Sequence, residues 1–204
     1  MKKKQSKKKF VVFLITVCCI VAGVLVVYYY MMKQQQYRAE NPSEATETQK
    51  LIDKDLDAGY PETPTEVLKL WGRLNQCMYN TEDLTDEEYN SLFLQLRKMY
   101  SSQLLEQNRE DEHSARLSTE IDDFQKDKRK IVSYTADESA DVKYKTVDKK
   151  ECAMLTLSYL VSQKGEYTKG YQEFVLVKED DKWKVLGFEN SAQSAVEQKD
   201  KTKK

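Results

Sequence analysis

The chain has 204 residues, of which 33% are charged and 40% hydrophobic, and its formal net charge at pH 7 is −1. No acidic residue precedes Lys33, so the remainder carries all 34 acidic residues but only 27 of the 33 basic ones, a net charge of −7. Such a surface disfavours nucleic acid as a partner, because phosphates require a basic face.

The first element is an uncharged stretch that runs from Phe10 to Met32. It is 23 residues long, and 13 of these are Phe, Val, Leu or Ile. A helix of this length reaches about 35 Å, which is enough to cross a hydrocarbon core of about 30 Å. The sequence therefore predicts a transmembrane helix over residues 10–32, through which the chain contacts the lipid bilayer.

A cleaved signal peptide and a lipoprotein anchor are competing interpretations of this stretch. Signal peptides have a shorter apolar region and end in a small-x-small cleavage site, which is missing from residues 26–30. A lipoprotein cysteine follows a small residue, whereas Val17 precedes Cys18. An uncleaved single-pass anchor is favoured. Residues 1–9 form a basic tag that is rich in lysine. The positive-inside rule therefore predicts that this tag is cytoplasmic and that the part of the chain after the helix lies outside the cell membrane.

Composition divides the rest of the chain into three parts. Residues 33–47 are rich in Gln, Glu, Thr and Ala and are predicted to form a linker. Residues 48–190 hold the apolar patterns of a folded extracytoplasmic domain. Residues 191–204 are polar and lysine-rich, and disorder is expected there.

Three helices are predicted at the start of this domain. Thr63, Pro64 and Glu66 form a capping box with proline at the first helical position. Thr85 and Glu88 repeat the box ahead of an apolar stripe that continues to Leu104. A third, more polar helix is expected from about residue 110 to residue 126.

The apolar period changes to two after Lys130, which predicts strands. The expected strands cover residues 131–134, 142–147, 153–161, 167–178 and 183–189. Turns at residues 163–166 and 179–181 make the later strands an antiparallel meander. Helices followed by strands predict an α+β fold with the helices packed on one face of a curved antiparallel sheet.

Both faces of the last two strands are partly apolar. One face is predicted to hold Phe174, Leu176, Leu186 and Phe188. The other is a candidate interaction face made of Tyr171, Val175, Val177, Trp183 and Val185. Either a helix covers this second face or another protein does, and burial within the chain is the commoner arrangement.

The order of these elements resembles a known superfamily. Three helices followed by a sheet that ends in residues 171–185, a hairpin with an acidic turn and a Trp-Lys-aliphatic strand, resemble the nuclear-transport-factor-2-like superfamily. The whole chain also resembles an uncharacterised group of single-span proteins of clostridial Gram-positive bacteria, through Lys54-Asp55-Leu56, Tyr60-Pro61, Thr63-Pro64 and residues 130–134. The resemblance implies a cone of sheet and helices, and it implies no activity, since the fold hosts enzymes, binders and assembly subunits.

Residues able to carry catalysis are few. His113 is the only histidine, and its charged neighbours predict a solvated side chain. Cys77 and Cys152 permit one disulfide at most, and their apolar patterns favour buried free thiols over that disulfide. Zinc ligation has no support. Enzymes of the resembled superfamily place Asp, His or Tyr inside the cone, but no such set maps onto this sequence. The tyrosines with inward spacing are Tyr79, Tyr89, Tyr100 and Tyr159, and buried structural tyrosines are commoner than catalytic ones.

The sequence accordingly assigns no catalytic, cofactor-binding or metal-binding residues. It predicts a non-enzymatic membrane-anchored protein whose outer domain binds or assembles with an envelope protein or a second copy of itself. The alternative is a small-molecule binder or a lyase or isomerase that works in the cavity of the cone.

Overall fold

The computed structural model describes Tyr29 and residues 46–191, and contacts within the chain separate a unit that begins at Glu47. The helices of the described unit are α1 (Glu47–Ile52), α2 (Pro64–Asn80), α3 (Asp86–Arg97), α4 (Ser102–Gln107) and α5 (Glu110–Lys126). Its strands are β1 (Arg129–Ala136), β2 (Lys143–Val147), β3 (Lys150–Gln163), β4 (Glu166–Glu179) and β5 (Lys182–Asn190). Helices come first and strands follow, so the α+β class is confirmed.

One part of the predicted fold class, the transmembrane helix, has to be corrected. Among the described residues, no helix is both long enough and apolar enough to cross a bilayer. Except for Tyr29, the stretch 10–32 lies outside the described residues, as do the tag at 1–9, residues 33–45 of the linker and residues 192–204 of the tail. The fold class of the described chain is therefore an α+β domain alone.

Both predicted capping boxes are present. Thr63 Oγ1 accepts from the backbone N–H of Glu66 at 3.2 Å, and the carboxylate of Glu66 accepts from the backbone N–H of Thr63 at 3.2 Å. The same reciprocal pair joins Thr85 and Glu88 at the start of α3. These contacts satisfy amides that a helix start would otherwise leave without partners.

The apolar stripe of α3 does not continue to Leu104 in one helix. The chain leaves the helix after Arg97, and Val185 of β5 donates to Met99 O at 2.7 Å and accepts from Ser101 N at 2.9 Å. Ser101 then caps the separate short helix α4, where its hydroxyl accepts from Leu104 N at 3.1 Å. At the break, Met99 and Tyr100 still donate to Leu96 O and Arg97 O, whereas Met99 O and Ser101 N pair with the edge of the sheet.

The sheet is antiparallel in the order β1-β3-β4-β5, with β2 also paired to β3. β1 and β2 therefore lie along the same edge of β3 and act as one interrupted strand. Asp137 fills part of the interruption, because its backbone N–H donates to Thr156 O at 2.9 Å and its Oδ2 accepts from Thr156 N at 2.7 Å. The predicted meander is correct for β3, β4 and β5. β1 instead pairs with the C-terminal half of β3.

One face of the sheet, which we call the helix face, packs against the helices. Its buried side chains are Ala153, Leu155, Leu157, Phe174, Leu176, Trp183 and Val185. They share a continuous core with the apolar stripe of α2, which includes Val67, Leu70, Trp71 and Leu74. We call the opposite surface the outer face, and its central side chains are Met154, Thr156, Ser158, Tyr171, Glu173, Val175 and Val177, with Gly187 on β5.

Candidate functional site

The space between the helices and the sheet is filled around Trp71. Its ring stacks on Tyr100 with a centroid distance of 5.5 Å and meets the edge of Phe174 at 5.3 Å. Tyr159 lies nearby, and its hydroxyl accepts from Asn75 Nδ2 at 3.2 Å. Burial raises the pKa of both Tyr100 and Tyr159 well above the usual range. These tyrosines therefore stay protonated and serve as packing and hydrogen-bonding groups.

The other two tyrosines with inward spacing tie α5 to the rest of the domain. The Tyr79 hydroxyl donates to Glu120 Oε1 at 2.7 Å, and the Tyr89 hydroxyl donates to Ser114 O at 2.8 Å. Burial is the main cause that raises the pKa of each phenol. Each hydroxyl thus joins two helices.

His113 is half-buried, in contrast to the solvated side chain that its neighbours in sequence predict. Arg97 Nη1 lies 3.4 Å from Nδ1 of the imidazole, and Tyr100 Oη lies 3.4 Å from Nε2. The ring also meets the edge of Phe93 at 5.1 Å. Burial, together with the charges of Arg97 and Arg116, lowers the pKa of His113. The sequence pattern failed here because the aromatic neighbours, Phe93 of α3 and Tyr100 after it, are distant from His113 along the chain.

Cys77 and Cys152 are both buried and free, as predicted. Cys77 lies on α2, 3.4 Å from the hydroxyl of Thr48, and Cys152 lies on β3 opposite Val177. Among the described residues, no group of three or more His, Cys, Asp or Glu side chains is arranged to hold a metal ion.

The structure separates the five residues predicted to form one interaction face. Tyr171, Val175 and Val177 point to the outer face, whereas Trp183 and Val185 are buried on the helix face. The cause is the two-residue turn, which pairs Glu179 with Lys182 and so places Trp183 opposite Lys178 and Val185 opposite Leu176. One extra residue, Leu186, lies between the positions of β5 that pair with Leu176 and Val175, and this bulge places the later residues Gly187 and Glu189 on the outer face.

Within the described unit, the helices pack on the helix face of the sheet and not on the outer face. The core that joins sheet and helices within residues 46–191 contains none of the outer-face side chains. Met154 is 39% exposed at the centre of this face. A side chain added at Gly187 would meet no atom within 4 Å, so the surface is open at that point.

A groove of about 510 Å³ crosses the outer face. Strand register places the outward-pointing residues of its lining in two adjacent rows that run across the strands, and Leu155, Phe174 and Phe188 lie between these rows with their side chains on the helix face. The first row is Lys143, Met154, Val175 and Gly187, and the second is Thr156, Glu173 and Glu189. Asp137 and Asp141, from the interruption between β1 and β2, close the end of the groove. The groove thus has an apolar row beside an acidic one.

The charges of the groove are unequal. Four carboxylates line it, from Asp137, Asp141, Glu173 and Glu189, against the single ammonium of Lys143. Glu173 Oε1 accepts from the Ser191 hydroxyl at 2.8 Å, and Asp137 Oδ2 is held by the backbone of Thr156. Such a surface attracts a cation while its apolar row offers contact to an aliphatic group.

A family model matches residues 1–188, and its description is a domain of unknown function, DUF6715. The chain belongs to the DUF6715 family. No curated protein and no solved structure matches it. The match ends at Phe188 and therefore includes every groove residue of the DUF6715 chain except Glu189.

Sequence reasoning found the apolar row of this DUF6715 groove only in part. Val175 was a candidate, but Met154, Glu173 and Glu189 were missed because they lie on three different strands. Glutamates at outward positions of otherwise apolar strands were the available signal. The glycine that opens the surface, Gly187, gains its meaning only from the pairing with Val175.

Proposed function

We propose that the domain is a non-enzymatic binding module with a nuclear-transport-factor-2-like arrangement, and that its outer face binds a segment of a partner protein. The observation that carries this proposal is the groove, where an apolar row and an acidic row lie side by side on the face that lacks a helix. Surfaces of this kind mark interaction sites when they combine exposed apolar side chains with a charged rim.

The chemistry of the groove favours a basic partner segment. Four carboxylates and one ammonium attract Lys or Arg side chains, and Met154 and Val175 contact an aliphatic group between them. The groove crosses β3, β4 and β5 and reaches the Asp137 edge, a width of about 14 Å at three strand spacings. About four or five residues in extended conformation cover that distance.

The packed interior supports a non-enzymatic role over the alternative. A small-molecule binder or a lyase or isomerase would need ionisable groups that converge in an open cavity. The described tyrosines instead donate or accept structural hydrogen bonds, and Trp71 occupies the centre between Tyr100 and Phe174.

A direct test is to titrate the full chain with a fluorescent ten-residue peptide of alternating Val and Lys and to follow fluorescence anisotropy. We expect saturable binding that weakens as salt is raised, because the carboxylates remain solvent-accessible. Glu173→Gln combined with Glu189→Gln should weaken binding by about fivefold or more, since two of four attractive charges are lost while the side-chain shapes are kept.

The matched control is Asp83→Asn combined with Glu106→Gln, which removes the same charge from exposed positions outside the groove. This pair should leave the affinity within about twofold of the unaltered chain. Equal weakening by both pairs would mean that the peptide responds only to net charge. That result, or the absence of binding by the unaltered chain, would refute the proposal.

A further inference from the structure

The described chain ends beside the acidic row of the groove. After β5, the backbone N–H of Ser191 donates to Tyr171 O at 2.9 Å, and its hydroxyl donates to Glu173 Oε1 at 2.8 Å. Ser191 is only 7% exposed, although the sequence predicts it as the first residue of a disordered tail. Residue 192 therefore follows a residue that is fixed to the groove itself.

The thirteen residues that follow have a composition that matches the groove. Residues 192–204 contain four lysines, Lys199, Lys201, Lys203 and Lys204. They contain two acidic residues, Glu197 and Asp200, and one aliphatic residue larger than alanine, Val196. A basic segment with an aliphatic residue is the chemistry that the acidic and apolar rows attract.

The distance allows this segment to reach the whole groove. Lys199 lies eight positions after Ser191, and an extended chain of that length spans about 26 Å. The far end of the groove, at Asp137 and Asp141, lies about three strand spacings, or about 14 Å, from β5. Lys199 and the lysines after it can therefore approach every carboxylate of the groove.

We propose that residues 192–204 fold back onto the outer face of the same chain and occupy the acidic groove, competing there with the basic partner segment. The competition rests on the proposed function, whereas the docking itself does not. Tethering gives a nearby segment an effective concentration in the millimolar range. A partner must displace residues 192–204 before it can bind. The apparent affinity of the partner for the full chain is therefore lower than its affinity for the free groove, in proportion to the fraction of chains in which the groove is free.

Docking is tested without any partner by comparing amide and methyl NMR spectra of the full chain and of a chain that ends at Ser191. We expect the differences to concentrate at Met154, Glu173, Val175 and Gly187, which line the groove. Replacing the four lysines of the segment with glutamine should give the spectrum of the shortened chain. Glu197→Gln with Asp200→Asn is the matched control and should keep the spectrum of the full chain.

Carbodiimide cross-linking adds a readout of which chain supplies the segment. Lysines of residues 199–204 should form amide links to Glu173 or Glu189, and a mixture of isotopically light and heavy chains should give links within one chain only. Links between light and heavy chains would overturn the proposal in favour of a second copy. Spectra that differ only at Ser191 and its immediate neighbours would also overturn it.

The peptide titration separates the two proposals. If both hold, the shortened chain binds the Val-Lys peptide at least fivefold more tightly than the full chain. Groove shifts with no peptide binding to either chain would keep the docking and refute the proposed function. Equal peptide binding to both chains with no groove shifts would refute the docking and keep the function.

Discussion

Gln95 shows how a single side chain joins two helices. Its amide Nε2, which carries two hydrogens, lies within hydrogen-bond distance of three backbone carbonyls at and just after the end of α1, those of Leu51 at 3.3 Å, Ile52 at 2.9 Å and Lys54 at 2.7 Å. The side chain is 8% exposed, so water is a poor substitute for these bonds. The last carbonyls of a helix need such partners because no further turn supplies them.

Gln95→Leu is expected to lower the free energy of unfolding by about 2–3 kcal/mol, since it leaves buried carbonyls without a donor. Urea denaturation followed by circular dichroism measures the loss. Gln103→Leu is the control, because Gln103 is exposed on α4 and should change stability by less than about 0.5 kcal/mol. Similar urea midpoints for the two variants would show that the hydrogen bonds of Gln95 do not stabilise the domain.

His113 gives the domain a specific dependence on pH. Arg97 can only donate, so its contact with Nδ1 places the imidazole proton on Nε2 and opposes a second proton. Burial first, then Arg97 and Arg116, lowers the pKa of His113 in the folded state, whereas the unfolded value is about 6.5. The unfolded chain therefore binds a proton first as the pH falls, and the free energy of unfolding decreases below about pH 6.5.

This loss should be visible between pH 7.5 and pH 5.5, because this window contains the usual pKa of histidine and His113 is the only histidine of the chain. Thermal unfolding at constant ionic strength measures it. His113→Gln should flatten the curve in this window, because glutamine keeps polar contacts but does not titrate. A variant that loses stability on acidification as steeply as the unaltered chain would assign the effect to other groups.

At the scale of elements, α2 packs against β1 with the ring of Tyr134 directly over Gly72. A Cβ added at Gly72 would lie 2.7 Å from Cγ of Tyr134, well inside van der Waals contact. The same helix also covers the free edge of β1, since Asn80 accepts from Ile131 N at 2.9 Å and Gln76 donates to Ile131 O at 2.9 Å. Edge strands covered in this way are protected from pairing with other chains.

Gly72→Ala should destabilise the domain by about 1–3 kcal/mol, because the ring of Tyr134 must move. In a Tyr134→Ser background the clash is gone, and the same substitution should stabilise by about 0.5–1 kcal/mol, the usual advantage of alanine over glycine within a helix. A double-mutant cycle by urea denaturation tests the change of sign. Additive effects would mean that Gly72 is not kept small by Tyr134.

Elements defined by neighbours in sequence could be predicted, and elements defined by pairing across the sheet could not. The helices that begin after Thr63 and Thr85 could be predicted, because each threonine and the glutamate of its capping box are only three positions apart in the sequence. The turn at Lys164-Gly165 is equally local, with φ of 50° and 88°. The bulge at Leu186 has no local signal, and it decides that Gly187 and Glu189 lie on the outer face. The groove was hidden for the same reason, since its rows are formed by register.

At the scale of the whole molecule, the two faces of the sheet have different roles. Helix-face side chains from three strands join the helices in one core, and their burial stabilises the fold. The groove side chains Met154, Glu173 and Val175 lie outside that core and are at least partly exposed, so they can vary in charge with little effect on folding. The acidic and apolar rows are therefore available for binding without a conflict with stability.

Val175 and Val185 provide a matched test of this division. They are the same residue type on adjacent strands, and the sequence predicts that they share one face. Val185 is 0% exposed within the core, whereas Val175 is partly exposed in the groove. Val185→Lys should cost more than about 4 kcal/mol, because it buries an unpaired charge.

Val175→Lys should instead change the free energy of unfolding by less than about 1 kcal/mol, since the ammonium reaches water and neighbouring carboxylates. The same variant should bind the Val-Lys peptide more weakly, because the substitution adds positive charge and removes an aliphatic contact. Urea denaturation measures the two stabilities, and anisotropy measures the binding of the variant that folds. Comparable destabilisation by both lysines would mean that the outer face is covered as closely as the core, and the groove would then be closed to a partner.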